Sequence, residues 1–242
     1  MITGFAAVAA AAAIFAGAVA SLAGFGIGSI LTPLLALQLG TKLAVAAVSI
    51  PHVTGTAVRF WMLRGRLDRR VFLWFGLASA AGGLAGALLH AEASNRALGI
   101  LLGGLLIFAG LSGWTGLMQR VRLGRRGAWI AGALSGAFGG LVGNQGGIRS
   151  AALLAFDIEK EAFVATATAV GLVVDAARMP VYLATTWDDL AAIRGLILVA
   201  TAGVVAGTVA GRPLLARVPE AAFRRVVAAL LVALGVWMIV HG

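Results

Sequence analysis

The chain has 242 residues, of which 61% are hydrophobic and 12% are charged, and its mean hydropathy is +1.00. Because a soluble domain carries roughly 25% charged residues, this composition excludes a soluble globular protein and indicates several membrane-spanning helices. The apolar segments are long, rich in Ala, Leu and Gly, and do not alternate with polar residues, which excludes a transmembrane β-barrel.

The formal net charge of +10 comes mostly from arginines in short connections between apolar segments. In a membrane protein this placement sets the orientation, because basic connections stay on the cytoplasmic side. Nucleic-acid binding would need a basic face with aromatic or polar readers, and the sequence shows none. The three histidines are far apart, carboxylates do not cluster, and cysteine is absent. We therefore predict no catalytic residue, no metal site and no bound cofactor.

Two glycine-rich stretches interrupt the apolar sequence, Gly-Phe-Gly-Ile-Gly-Ser at 24–29 and Gly-Asn-Gln-Gly-Gly-Ile-Arg at 143–149. Glycine inside a helix costs roughly 0.8–1 kcal/mol relative to alanine, so each stretch predicts a break in a helix. Broken backbone is tolerated in lipid only where it is buried or lines a cavity, and a matching pair of breaks points to the binding site of a secondary transporter. Scattered glycines elsewhere are expected only to let helices pack closely. These are Gly82, Gly86, Gly203 and Gly207.

The two halves of the chain match when the sequence is shifted by 119 residues without gaps. The glycines of the two breaks coincide, Arg59 falls on Arg178, and Gly76 falls on Gly195. We predict two membrane repeats joined by a basic cytoplasmic linker. Their ranges are 1–118, 119–126 for the linker, and 127–242. Because the N-terminal segment lacks a basic start and matches the second half, we interpret it as the first helix of a repeat and not as a signal peptide.

Each repeat is predicted to contain an apolar helix, a break, a short apolar segment and three long helices. The short segments, 28–40 and 147–158, fall below the ~20 residues that cross ~30 Å of hydrocarbon. Two interpretations of them stay open, a short span and a re-entrant arm. The longer helices are predicted at 3–23, 43–63, 71–90 and 96–117, and again at 127–142, 162–183, 189–211 and 221–240.

The charges of the connections predict the topology. Residues 64–70 and the linker are basic and predicted to be cytoplasmic, 185–189 is acidic and predicted to be outside, and 212–225 is basic and predicted to be inside. Equivalent connections then face opposite sides of the membrane, which is the signature of inverted-topology repeats, and both termini lie outside. The predicted fold is an all-α polytopic membrane protein of two inverted repeats with about five helical segments each, about eight to ten in all. The first two segments of each repeat form a hairpin broken by glycine.

Arg149 is the leading candidate for a ligand contact at the breaks. An ionised residue within a membrane is costly and functional by default, and a guanidinium beside helix N-termini suits a carboxylate, sulfonate, sulfite or phosphate group. The alternative is an ion pair with Asp157 that fixes the short segment. Asn144 and Gln145 add uncharged donors and acceptors that would orient a ligand.

The third helix of each repeat adds further candidates. Pro51 is expected to kink the helix beside His52, which is either a ligand donor or proton carrier, or a buried neutral histidine. Asp175 and Arg178 lie three apart on one helical face and are expected to pair. Arg59 and its counterpart Arg178 are either gates that attract anions near each mouth of the pathway, or arginines that extend to the membrane interface.

The candidate residues form two groups. Those predicted to contact substrate are Gly24, Phe25, Gly26, Gly28, Ser29, Ser49, His52, Asn144, Gln145, Gly146, Gly147, Arg149 and Thr168. Those predicted to act in gating or coupling are Arg59, Asp175 and Arg178.

The sequence resembles the sulfite exporter TauE/SafE family of membrane permeases. The matching features are the two glycine-rich breaks, Pro33, the small polar runs at 46–49 and 165–168, and the basic connection after the third helix of the first half. The resemblance covers nearly the whole chain and implies passage of sulfite, sulfoacetate or other organosulfonates across the bacterial inner membrane. The chain departs from the family pattern in the second break, where Asn144 and Gln145 replace an apolar residue and a glycine, Arg149 is added, and Ala152 stands where proline is common.

The predicted function is therefore a secondary transporter of small sulfur-containing anions that works by alternating access. The alternatives are an anion channel, a carrier of a different small carboxylate or oxyanion, and, with least support, a membrane-embedded enzyme. The predicted partners are a small anionic substrate and the lipid bilayer, without nucleic acid. The coupling ion is left open, since His52 or Asp175 suits a proton, while break carbonyls with Ser49 or Thr168 suit Na⁺.

Overall fold

The computed structural model describes residues 2–24, 26–116, 125–144, 146–153, 156, 158–215 and 219–241. Within these residues the chain forms ten α-helices and no strand, which confirms the predicted all-helical fold. The helices are α1 (Ile2–Ala23), α2 (Ile27–Leu39), α3 (Thr41–Leu63), α4 (Arg69–Glu92), α5 (Asn95–Thr115), α6 (Arg125–Val142), α7 (Gly146–Leu153), α8 (Lys160–Ala192), α9 (Arg194–Leu215) and α10 (Glu220–His241). A 3₁₀ turn, Arg64–Arg66, follows α3. Most of the predicted linker, 119–124, lies outside the described residues, and its last two residues begin α6.

The described helices have the length and composition of membrane spans. Six of them, α1, α3, α4, α5, α8 and α9, are long and apolar enough to cross a membrane, and α2 and the segment Arg225–His241 of α10 are shorter apolar helices. Large apolar side chains such as Trp61, Leu77 and Leu198 are between 65% and 68% exposed. A run of such side chains on the outside suits lipid and not water. The chain is a polytopic helical membrane protein.

The two short helices that follow the breaks differ in length. α2 has 13 residues, whereas α7 has eight and ends at Leu153, before the predicted end at 158. The amide of Phe156 donates to the carbonyl of Leu153 over 3.1 Å. At 1.5 Å per residue α7 measures about 12 Å, so this helix alone is too short to cross ~30 Å of hydrocarbon.

One predicted connection is wrong. The acidic residues 185–189 lie within α8, which runs to Ala192 with a break in the helical backbone at Thr186 (φ −137°, ψ 23°). The stretch contains no glycine or proline, and the hydroxyls of Thr185 and Thr186 donate to carbonyls four residues earlier, over 2.8 and 2.7 Å. These bonds let the chain continue as a helix on both sides of the break at Thr186. The 33 residues of α8 therefore form two helical stretches that meet at Thr186 and not one straight helix.

The longer α8 changes the spacing between the two halves. α2 and α7 begin 119 residues apart, and so do α3 and α8. After α8 the spacing is 125 residues, since α4 begins at Arg69 and α9 at Arg194, and α5 and α10 begin equally far apart. The predicted equivalence of Gly76 with Gly195 is therefore wrong, because an ungapped shift does not absorb the extra residues that precede α9.

Helices pack across the two halves in matched pairs. α1 packs against α9 and its counterpart α6 packs against α4, while α5 packs against α10 and α3 against α8. A Cβ atom at Gly82 would overlap the carbonyl oxygen of Ala133, and one at Gly207 would overlap that of Ile14. The two contacts are equivalent. Gly82 and Gly207 are separated by 125 residues, the spacing between α4 and α9, and their partners Ala133 and Ile14 are separated by 119 residues, the shift that aligns the two breaks. The close packing expected of scattered glycines is confirmed, whereas inversion of the halves across the membrane stays a prediction.

Candidate functional site

Each predicted break contains a left-handed glycine that ends a helix. Gly24 follows α1 with φ 75° and Gly143 follows α6 with φ 72°, a conformation that glycine adopts without steric cost. The amide of each glycine donates over 3.0 Å to a carbonyl four residues earlier, that of Ala20 in the first half and Gly139 in the second. The two breaks thus share one backbone geometry.

The two breaks contact each other. The backbone of Gly28 lies so close to the carbonyl oxygen of Gly143 that a Cβ atom at Gly28 would overlap it. Beside this contact the buried hydroxyl of Ser29 donates to Oδ1 of Asn144 over 3.1 Å. α2 and α7 begin directly after the two breaks, and the first amide groups of a helix have no partner within it. The structure therefore brings the paired breaks together, as the sequence predicts.

Two buried arginines hold the ends of the broken helices. Nη1 of Arg59 donates to the carbonyl of Ala20 over 2.6 Å, and Nη1 of Arg178 donates to the carbonyl of Gly139 over 2.6 Å. The two donor arginines are 119 residues apart in the sequence, and the two acceptor residues, Ala20 and Gly139, are also 119 residues apart. The C-terminal carbonyls of a helix carry partial negative charge and lack partners, so a guanidinium stabilises them. Because the two arginines are 5% and 1% exposed, the alternative in which they extend to the membrane interface is wrong.

Asp175 is the centre of a buried ion-pair network. Its Oδ1 accepts two bonds from Arg178, from Nη2 over 2.8 Å and from Nε over 3.0 Å. Its Oδ2 lies 2.7 Å from Nδ1 of His52. The structure contains the expected Asp175–Arg178 pair and adds His52 to it, so α3 and α8 are joined through one carboxylate.

Arg149 is buried at the junction of the breaks without a full set of partners. It is 2% exposed, and its Nη2 donates to the carbonyl of Gly24 over a long 3.3 Å. Within the described chain its Nε and Nη1 have no hydrogen-bond partner. Asp157, the alternative partner considered for this arginine, lies outside the described residues. A buried donor left without an acceptor costs about 1–3 kcal/mol, and more when it is charged, so this side chain is the best-placed group for a ligand.

The centre contains more positive than negative charge. Arg59, Arg149 and Arg178 are buried, whereas Asp175 is the one buried carboxylate in the part of the chain that the structure describes. Charge buried in a protein interior is costly unless it is paired. Helix carbonyls compensate Arg59 and Arg178, and Asp175 also compensates Arg178. The uncompensated charge therefore belongs to Arg149.

Other predicted residues are engaged within their own helices or lie outside the described chain. The hydroxyl of Ser49 donates over 2.6 Å to a carbonyl of α3, and that of Thr168 donates over 2.7 Å to a carbonyl of α8. Thr168 also accepts a bond from Nε of Arg59 over 3.1 Å. Phe25 and Gln145 are not among the described residues.

Three residues at the site are missing from the prediction. Thr32 and Thr56 have buried hydroxyls with no hydrogen-bond partner. A Cβ atom at Gly171 would lie 2.8 Å from Nη1 of Arg149 and 3.7 Å from the methyl group of Thr56. The sequence contains a signal for two of them, because Thr56 is one turn after His52 on the same helical face, and Gly171 follows His52 by 119 residues.

A polytopic helical membrane protein whose broken helices meet at a buried charged centre has the architecture of a membrane transporter. The family model described as Sulfite exporter TauE/SafE matches residues 9–238, nearly the whole chain. The chain therefore belongs to the sulfite exporter TauE/SafE family of membrane transporters, and the resemblance found in its sequence is confirmed. No curated protein and no solved structure matches it.

Proposed function

We propose that the protein is a secondary transporter that moves small sulfur-containing anions, such as sulfite, sulfoacetate or other organosulfonates, across the bacterial inner membrane. One observation carries this proposal. The guanidinium of Arg149 is buried where the two breaks meet, and two of its nitrogens have no partner. A bound anion would supply both the missing acceptors and the missing negative charge.

The donors around Arg149 suit an oxyanion. A guanidinium presents five N–H donors in a planar fork that matches carboxylate, sulfonate and sulfite oxygens. The buried hydroxyl of Thr56, which has no hydrogen-bond partner within the described chain, lies near Arg149 beside Gly171 and adds a neutral donor. A neutral ligand would leave the buried charge uncompensated, so the site favours an anion.

The pairing of the halves supports alternating access. Matched helix contacts cross between the halves, and glycine backbone at both breaks allows local rearrangement without side-chain clashes. We place the basic residues 64–70 in the cytoplasm and both termini outside, following the charges of the connections. In this arrangement the breaks line the path of the substrate, and the mechanism requires no bound cofactor.

Replacing Arg149 with glutamine should weaken sulfoacetate binding about 100-fold. Hydrogen bonds to a charged group contribute about 1.5–3 kcal/mol each, and a loss of about 2.7 kcal/mol corresponds to about 100-fold in Kd. The measurement is the rise in unfolding temperature of the purified protein with sulfoacetate, sulfite, taurine, acetate or phosphate, because a ligand that binds the folded state stabilises it.

The matched control is Arg66→Gln. Arg66 is 66% exposed and pairs with Glu161 over 3.2 Å, and such a surface pair contributes about 0–1 kcal/mol. This variant should bind sulfoacetate as the wild type does. Unchanged binding and unchanged liposome uptake in Arg149→Gln would contradict the proposal. Uptake that saturates and shows counterflow identifies a carrier, whereas flux that does neither identifies an anion channel.

Replacing Gly171 with alanine should weaken sulfoacetate binding about tenfold while the protein still folds. The new Cβ atom would lie 2.8 Å from Nη1 of Arg149, and the long arginine side chain moves away more easily than backbone does. A tenfold change equals about 1.4 kcal/mol, roughly one charged hydrogen bond. Gly76→Ala is the control, because its Cβ atom would make an ordinary contact of 3.5 Å with Phe72. Equal Kd values for the two variants would show that Gly171 does not position Arg149.

A further inference from the structure

His52 and Asp175 form a dyad in which one nitrogen of the imidazole is left free. An ionised carboxylate only accepts hydrogen bonds, so Nδ1 of His52, 2.7 Å from Oδ2 of Asp175, carries the hydrogen. The lone pair of the neutral ring is then on Nε2, which makes no hydrogen bond within the described chain. The His52 side chain is 11% exposed, whereas that of Asp175 is 0% exposed. The imidazole is thus the more exposed part of the network.

The charges around His52 act on a further proton in opposite directions, because the carboxylate of Asp175 favours it and the guanidiniums of Arg178 and Arg149 oppose it. Asp175 and Arg178 face His52 from α8 and form an ion pair with each other. Arg149, from α7, is close enough for its charge to act on His52. Of the other helices packed on α3, α2 has no ionisable side chain, and α5 and α9 have theirs only near their ends. A protonated His52 would add charge to a centre that already has an uncompensated guanidinium.

A bound anion adds negative charge to this centre. Negative charge at Arg149 makes protonation of His52 favourable, and by linkage protonation of His52 raises the affinity for the anion by the same factor. The two ligands therefore bind and leave as a pair. A sodium ion is disfavoured at the hydroxyl considered for it, because Thr168 accepts a bond from the cationic Arg59.

We propose that His52 is the binding site of a co-transported proton, so that each anion moves together with one proton. Nε2 takes the proton from water when the anion binds and returns it when the anion leaves, while the hydrogen on Nδ1 stays with Asp175. This inference rests on the proposed function, since it requires an anion at Arg149.

The test uses the full-length wild-type protein in liposomes with sulfoacetate, whose acidic groups stay ionised between about pH 6.5 and 8. Valinomycin and equal K⁺ on both sides hold the membrane potential at zero. If each anion moves with one proton, a gradient of one pH unit should accumulate sulfoacetate about tenfold. The reason is that one pH unit is a tenfold difference in proton activity. Transport that ignores the pH gradient, or that follows a Na⁺ gradient, overturns the proton site and leaves the proposed function standing. Absence of any sulfoacetate binding and transport overturns both.

A variant and a matched control locate the proton. In His52→Gln the gradient-driven accumulation should fall from about tenfold to about onefold, measured against equilibrium exchange in the same vesicles. In His90→Gln, which changes a buried histidine of α4 bound to the carbonyl of Leu141, the tenfold accumulation should persist. Retention of the gradient response by His52→Gln overturns the assignment. A measurement without a variant is proton uptake by the wild type when sulfoacetate is added in weak buffer at neutral pH, and no uptake also overturns it.

Discussion

Replacing Asp175 with alanine is expected to lower the free energy of unfolding by about 3–5 kcal/mol, the cost of removing one partner from a buried ion pair. Asp175 is fully buried, accepts two bonds from Arg178 and lies 2.7 Å from His52. Its loss leaves a buried guanidinium without a carboxylate and removes one of the bonds that join α3 to α8. The measurement is thermal or denaturant unfolding of the purified protein in detergent, with and without sulfoacetate.

The same substitution at an exposed position provides the control. Asp188 belongs to the same helix and is exposed, and surface substitutions of this kind change stability by about 0.5 kcal/mol or less. Asp188→Ala should therefore unfold like the wild type. If Asp175→Ala were as stable as Asp188→Ala, the carboxylate would not hold the network together.

Replacing Gly28 with alanine is expected to abolish transport and to destabilise the protein by about 2–3 kcal/mol, at the upper part of the range for overpacking. The added Cβ atom would overlap the carbonyl oxygen of Gly143. This neighbour is backbone, so it cannot rotate away as a side chain does. The two breaks would have to separate, which would move Ser29 from Asn144 and displace the groups around Arg149. Uptake of sulfoacetate and the unfolding temperature are the two measurements.

Gly104→Ala is the matched control for that substitution. Gly104 lies in α5 with nothing within 4 Å of its Cβ position, and alanine is favoured over glycine in a helix by about 0.8–1 kcal/mol. This variant should be as stable as the wild type or slightly more so, with full transport. Normal uptake by Gly28→Ala would show that contact between the breaks is not required.

The sequence predicts a helix well where a long apolar segment defines its extent and a glycine marks its end. α3 is predicted at 43–63 and found at Thr41–Leu63, and both breaks fall at the predicted glycines. The prediction fails at 185–189 because threonine and aspartate occur both in connections and at exposed helix ends. Whether they stay helical there depends on side-chain bonds to the preceding turn, which composition does not reveal.

The pairings within the site are harder to predict than its members. Arg149, His52 and Asp175 are recognisable because ionisable residues are rare in apolar segments. That His52 meets Asp175, 123 residues away, depends on how α3 and α8 are rotated against each other, and no local pattern specifies that rotation. For the same reason the carbonyl partners of Arg59 and Arg178 were not predictable from charge and position alone.

The equivalent hydrogen bonds of Arg59 and Arg178 have a practical consequence for protein engineering. These two arginines hold the ends of the broken helices, while equivalent positions that differ between the halves, Ile30 against Arg149 and His52 against Gly171, include the residues proposed to bind the anion and the proton. Under this proposal selectivity and architecture reside in separate residues. A redesign for another cargo can vary these four positions and leave the scaffold that supports them unchanged.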